Sequence, residues 1–292
     1  MTTNEFKSLA ESRILILDGA TGSNLRLAGM PVGVSTEKWV YDHPEVILRL
    51  QRAYVDAGSD IIYAPTFMAN RIGLGMHGLE DQMEALNTGL VRLSKQAAEG
   101  RALVAGDLTT TGKPLAPVGP MEYQALLDVY KAQIEALYKA GADLLVAETM
   151  LSIDETACAV EAAMSVCDLP VMCTLTMEAD GHLLFGGNAA EAVETLQAMG
   201  ACAVGLNCSV GPDQLESVVR AMKAVATVPV IAKPNAGMPV MDDKGMAHYS
   251  MAPDAFAAAM TRLVDAGAAI VGGCCGTDPE YIRALSHAVK AR

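Results

Sequence analysis

The chain is predicted to be an α/β protein, a single (β/α)8 TIM barrel over residues 1–292, from three features of its sequence. Eight short, nearly all-apolar runs recur at 14–17, 61–64, 102–105, 144–147, 171–174, 203–206, 230–232 and 269–272. Runs without polar alternation are the mark of parallel strands covered on both faces. Their starts lie 27–47 residues apart, which is room for a strand, a helix and two loops. The third feature is a repeated dipeptide ahead of runs two, four, six and eight: Ala57-Gly58, Ala140-Gly141, Met199-Gly200 and Ala266-Gly267. A glycine there lets the chain take the left-handed turn that ends a helix before the next strand.

The helices follow from the same reading. Segment 44–56 opens on Pro44, a residue suited to a first helical turn, and stops at Gly58. Segments 123–140, 191–199 and 253–266 stop at Gly141, Gly200 and Gly267. Strict strand–helix alternation leaves a closed barrel or an open doubly wound sheet. Eight units favour the barrel, and no Gly-x-Gly-x-x-Gly follows the first strand as a dinucleotide fold would want. No Pro-, Ser- or charge-rich stretch divides the chain, so one domain is expected, with 109–120 as a long loop within it.

Composition narrows the partners. A formal net charge of −13 repels phosphate backbones, so no nucleic acid is expected. No apolar run approaches the roughly 18 residues of a membrane span, and residues 1–12 lack a secretory apolar region, so the expected location is the cytoplasm, away from membranes. Seven cysteines in a reducing compartment point to metal or catalysis more than to cross-links. The 17 methionines read as flexible filling of the core.

In a (β/α)8 barrel the chemistry sits where the strands end. The residues just after the eight runs include Asp18, Thr66, Asp107, Glu148, Thr174, Asn207-Cys208, Lys233 with Asn235, and Cys274-Cys275. Cys208 ends run six and Cys274-Cys275 end run eight, so only one strand separates them and the three sulfurs can converge over the mouth. Three thiolates suit a soft-ligand metal, zinc by preference, with a fourth position open for substrate. Burial as small apolar residues is the simpler reading for Cys158, Cys167, Cys173 and Cys202. For an adjacent pair between glycines it is weaker, and a vicinal disulfide is a third possibility. Asp18 is either a turn former or a ligand-binding carboxylate. Glu148, after a wholly apolar strand, is either paired with a cation or placed to receive one. With the backbone N–H groups near Gly19, Ala20 and Ser23, Asp18 and Glu148 make an expected clamp for an amino acid: carboxylates for its ammonium, N–H groups for its carboxylate. Lys233 reads as an ion-pair partner before it reads as a Schiff-base amine. The five histidines and Trp39 read as surface or packing residues.

Six motifs in order complete the picture: Asp18-Gly19-Ala20-Thr21-Gly22-Ser23, Ala64-Pro65-Thr66-Phe67-Met68-Ala69-Asn70, Ala147-Glu148-Thr149-Met150, Gly205-Leu206-Asn207-Cys208-Ser209, Lys233-Pro234-Asn235-Ala236-Gly237-Met238-Pro239 and Gly272-Gly273-Cys274-Cys275-Gly276-Thr277. On them the chain resembles the homocysteine S-methyltransferase family, most of all the homocysteine-binding barrel of cobalamin-dependent methionine synthases, over about residues 12–290. The resemblance implies zinc on Cys208, Cys274 and Cys275. It implies the homocysteine amino group at Glu148 and Asp18, and its carboxylate at the N–H groups of Gly19, Ala20 and Ser23. A free thiol is only about 3% thiolate at pH 7, and a metal that removes its proton generates the nucleophile for methyl transfer, giving methionine.

The family's donors are methylcobalamin, betaine, S-methylmethionine and S-adenosylmethionine. The sequence ends soon after the eighth helix, so methylcobalamin carried by a separate corrinoid protein is the expected donor. Four Phe and one Trp offer little for the aromatic cage that betaine wants, although there are eight Tyr. The competing readings are another barrel enzyme, such as an aldolase using Lys233 or a pterin-binding methyltransferase, and a non-catalytic zinc-binding subunit that docks a corrinoid partner.

Overall fold

The computed structural model describes residues 1–242 and 247–290. Eight parallel strands form one sheet: β1 (Leu15–Ile16), β2 (Ile61–Tyr63), β3 (Leu103–Leu108), β4 (Leu144–Met150), β5 (Val171–Leu175), β6 (Ala203–Cys208), β7 (Val230–Pro234) and β8 (Ala268–Val271). Neighbours follow chain order from β2 to β8, β8 pairs with β1, and a parallel bridge between Leu17 and Ile61 closes the ring. Each apolar run of the sequence is one barrel strand, and the fold is the expected (β/α)8 barrel. Helices Pro44–Ala57, Tyr123–Ala140 and Pro253–Ala266 all end on a left-handed glycine, at Gly58, Gly141 and Gly267. Helix Ala189–Ala198 starts two residues before the expected segment, because Asn188 caps it and forms a reciprocal capping box with Glu191.

Alternation along the strands sorts the core into two layers. Ile62, Val104, Leu145, Cys173, Val204 and Ala232 pack outward in the large cluster shared with the helices. Leu15, Ile61, Leu144, Met172, Ile231 and Ile270 fill the barrel itself. Each such Leu or Ile contributes roughly 1.5–3 kcal/mol on burial. A charge in place of inward Val146 would empty that layer of a partner and break the closure.

Elements outside the strand–helix alternation escaped the sequence reading, among them an N-terminal helix and a small hairpin. The N-terminal helix Thr3–Ser12 sends Phe6 and Ala10 into the interior cluster, so it packs under the barrel, against β8. It starts on a Thr2–Glu5 capping box, a signal present in the sequence but hidden by the polar character of the segment. After β7 a small antiparallel hairpin pairs Pro239–Met241 with Ala247–Tyr249.

Candidate metal and substrate site

The uppermost inward position of β2, β3, β4, β5, β6 and β7 is polar in every case: Tyr63, Asp107, Glu148, Thr174, Asn207 and Lys233. Below them the interior is apolar, so these side chains form the floor of the open end. A cavity of about 540 Å³ lies on that floor, lined by Asp18, Asp107, Glu148, Lys233 and the three cysteines among others.

At its rim, Cys208 ends β6 while Cys274 and Cys275 follow β8. Their sulfurs lie within 4.8 Å of one another, and among the described residues they are the one cysteine, histidine and carboxylate cluster of metal-binding size. Hydrogen bonds from the Cys274 and Cys275 thiols pull the Cys208 pKa down to about 3, and the same contacts push Cys274 and Cys275 up. Three soft donors at this spacing fit a zinc ion. The other four cysteines are apart from this group. Cys158, Cys173 and Cys202 are buried, and burial pushes the Cys158 and Cys173 thiols up to about 12.

The backbone is strained around these sulfurs. Of the four described non-glycine residues with positive φ, three are here: Thr149 (58°), Cys208 (61°) and Ser209 (64°). The pairing of β4 with β5 also shifts register between Ala147 and Met150, a bulge that re-aims Glu148. Asn207 holds the two sides together. Its Oδ1 accepts from the Thr149 N–H at 2.9 Å, its Nδ2 donates to Thr149 Oγ1 at 2.7 Å, and Nδ2 lies 3.8 Å from Cys274 Sγ. Gly276 (φ 83°) has no room for a side chain, since a Cβ there would fall 2.3 Å from the Tyr249 ring. That close approach brings the Tyr249 hydroxyl within hydrogen-bonding reach of Cys275.

Asp18 and Glu148 converge, and Lys233 stands between them. Its Nζ is 3.1 Å from Glu148 Oε1 and 3.6 Å from Asp18 Oδ1, and 4.9 Å from the Tyr63 ring centroid. All three are nearly inaccessible to solvent. Burial opposes the Lys233 charge, but the pull of Glu148, Asp18 and Cys274 overcomes it and holds its pKa well above the ordinary value. Burial also raises Glu148, and raises Asp18 to about 7. Asp18 Oδ2 accepts from the Tyr63 N–H at 2.8 Å, which fixes its orientation.

Of the expected N–H donors, Ala20 already gives its proton to Thr277 Oγ1 at 3.1 Å. Gly19 and Ser23 flank it on the cavity wall, where helix Gly22–Leu27 begins. Ser23 Oγ meanwhile accepts from the Gly276 N–H, at 3.4 Å.

Two buried glutamates that sequence reasoning passed over organise the loops above the floor. Glu37 accepts from Ser35 Oγ at 2.9 Å and from the Met68 N–H at 2.8 Å, tying the loop after β1 to the loop after β2. Glu155 accepts from Thr110 Oγ1, the Thr111 N–H and the Tyr130 hydroxyl at 2.6–2.9 Å, anchoring the loop after β3. Their sequence signal was nil, because an isolated Glu in a helix normally faces water.

Comparison with known proteins agrees with this geometry. The homocysteine S-methyltransferase family matches residues 15–289. A methionine synthase of Mycobacterium leprae (strain TN) is 30% identical over 305 aligned positions, covering 98% of this chain and 25% of that protein. The methionine synthase of Mycobacterium tuberculosis (strain ATCC 25618 / H37Rv) is 30% identical over 295 positions, with 95% and 25% covered. The chain thus spans about a quarter of the length of these curated relatives. Among solved structures, the oxidized form of the homocysteine methyltransferase MmuM from Escherichia coli superposes with a TM-score of 0.80 at 25% identity, over 94% of this chain and 95% of that one. With nearly the whole barrel matched, the chain belongs to the homocysteine S-methyltransferase family.

Proposed function

We propose that residues 1–292 form one homocysteine-binding barrel domain that transfers a methyl group to the homocysteine thiol in a zinc-dependent reaction, giving methionine. The observation that carries this reading is the meeting of three sulfurs within 4.8 Å at the rim of a cavity whose floor is acidic. Cys208, Cys274 and Cys275 would hold the zinc. When bound, it supplies a Lewis acid that lowers the pKa of the acceptor thiol, so that the sulfur is nucleophilic at neutral pH.

The chain's own residues do the rest. Asp18, Asp107 and Glu148 set three carboxylates against the single ammonium of Lys233, a floor that attracts the acceptor's ammonium group. The N–H groups of Gly19 and Ser23 are on the wall for its carboxylate, with Ala20 holding that wall to Thr277. Asn207 bridges Thr149 and Cys274, tying the sulfur rim to the end of the strand that carries Glu148.

The preferred donor is methylcobalamin on a separate corrinoid protein. Large apolar side chains stand exposed on the loops after β3, β5 and β7: Val118, Leu184, Phe185, Met238, Val240 and Met241. Such a rim suits a macromolecular partner at the open end better than a small donor in water. The face of Tyr63 is already taken by Lys233, which leaves that ring unavailable for a quaternary ammonium. The aldolase reading loses its support, because Lys233 is held charged between two carboxylates and a protonated amine is no nucleophile. No described helix is long and apolar enough to cross a membrane. A reducing cytoplasm is the setting that keeps three thiols available for metal.

The test is methyl transfer to homocysteine from a methylated corrinoid protein, free methylcobalamin, S-methylmethionine, S-adenosylmethionine and betaine at equal concentration. Methionine should form fastest with the corrinoid protein. A faster reaction with S-methylmethionine or betaine would overturn the donor, and no methionine from any of them would overturn the activity.

A further inference from the structure

We infer that Asp107 receives the cationic group of the acceptor, because Lys233 already occupies the cation position between Asp18 and Glu148. This rests on the functional reading above and changes which residue reads the substrate.

The observations concern the floor of the barrel. Asp18 and Glu148 each have a counter-charge within 3.6 Å, the ammonium of Lys233. Asp107 lines the same cavity from β3, is 4% exposed, and its Oδ1 is buried with no hydrogen-bond partner. Its backbone, by contrast, is firmly held: its N–H meets Thr66 Oγ1 at 3.1 Å and its carbonyl accepts from Thr66 Oγ1 at 2.9 Å. The carboxyl is therefore presented by a fixed strand into a cavity and left without a donor of its own. A buried carboxyl in that state is costly unless a ligand completes it. Burial and the nearby Glu148 push its pKa well above the ordinary carboxylate value, the direction expected of a group still lacking its cation.

Charge balance points to the ligand class. When all are ionised, three carboxylates facing one ammonium leave an excess of two negative charges on the floor, which is why burial and Glu148 hold Asp107 toward its neutral form until a cation enters. A thiol carrying a carboxylate alone adds to that excess. A thiol carrying a primary ammonium within reach of Asp107 reduces it and supplies the missing hydrogen bond. Asp107 is thus a specificity-determining residue for aminothiol acceptors, and Lys233 is the internal ion that keeps Asp18 and Glu148 from competing for the same ammonium.

The experiment is calorimetric titration of the zinc-loaded protein with homocysteine and with 4-mercaptobutyrate, its analogue lacking the amino group. The wild type should prefer homocysteine. In D107N that preference should fall about tenfold to a hundredfold, the range for a hydrogen bond to a charged group, while 4-mercaptobutyrate binds as before or more tightly. E148Q should keep most of the preference. D107N should also melt no lower than wild type without thiol, since it removes an unpartnered buried carboxyl; a merely structural role would lower the melting temperature. If the wild type binds both thiols and D107N keeps the ratio, or E148Q erases it while D107N does not, the inference is overturned and the functional reading stands. If the wild type binds neither thiol, the functional reading fails and takes the inference with it.

Discussion

Replacing Lys233 with Met removes what is, among the described residues, the only counter-charge within 4 Å of two buried carboxylates, while keeping most of the side-chain volume. At an effective dielectric of about 20, unit charges at 3.1 and 3.6 Å attract by about 5 kcal/mol each. Desolvation of the ammonium offsets much of this, and removal of one partner from a buried pair costs about 3–5 kcal/mol in total. At about 2–3 °C per kcal/mol for a chain of this size, K233M should melt on the order of 6–15 °C lower at pH 8. The deficit should shrink at pH 5. Asp18 is raised from 3.8 to about 7, so its protonated form favours the folded state below 3.8, and that advantage is lost as pH rises through about 7. Without Lys233 the carboxyls rise further, and at pH 5 Asp18 folds neutral in wild type and variant alike. The assay is differential scanning calorimetry of the zinc-loaded proteins at the two pH values. Equal melting temperatures at pH 8, or a deficit larger at pH 5, would refute the ion-pair reasoning.

Two other outcomes are expected. Cys208→Ala, Cys274→Ala and Cys275→Ala should each lose bound zinc, measured by elemental analysis, while Cys158→Ala and Cys202→Ala keep one zinc per chain; retention by all five would remove the cysteine site. Asn207→Ala frees Thr149 and the neighbouring Cys274, and should weaken zinc about 10–100-fold in a chelator competition while the fold is retained. Unchanged zinc affinity would make Asn207 a bystander.

Much of the barrel was legible because parallel strands are covered on both faces, and their apolar runs stand out even where a strand is only two residues long, as at Leu15–Ile16. The convergence of Cys208, Cys274 and Cys275 was legible because strand order fixes which loops meet. What the sequence left out depends on side-chain geometry at the floor. Lys233 could be read as an ion-pair partner, but only the inward register of β7 beside β6 shows that it stands between Asp18 and Glu148. Asp107 stood at a strand end among other polar residues, and nothing in its neighbours Gly106 and Leu108 foretold an unpartnered oxygen. The left-handed backbone at Thr149, Cys208 and Ser209 is likewise invisible, since none is the Gly or Asn that usually announces it. Glu37 and Glu155 were missed because their partners lie on loops after other strands.

The most direct measurement is zinc-edge X-ray absorption on the purified protein, before and after homocysteine is added. Three sulfur neighbours per zinc should be found before, from Cys208, Cys274 and Cys275, and four after, the last from the acceptor thiol. Fewer than three sulfurs at the outset, or a count that homocysteine leaves unchanged, would contradict the assignment of this site as the place where the acceptor sulfur is activated.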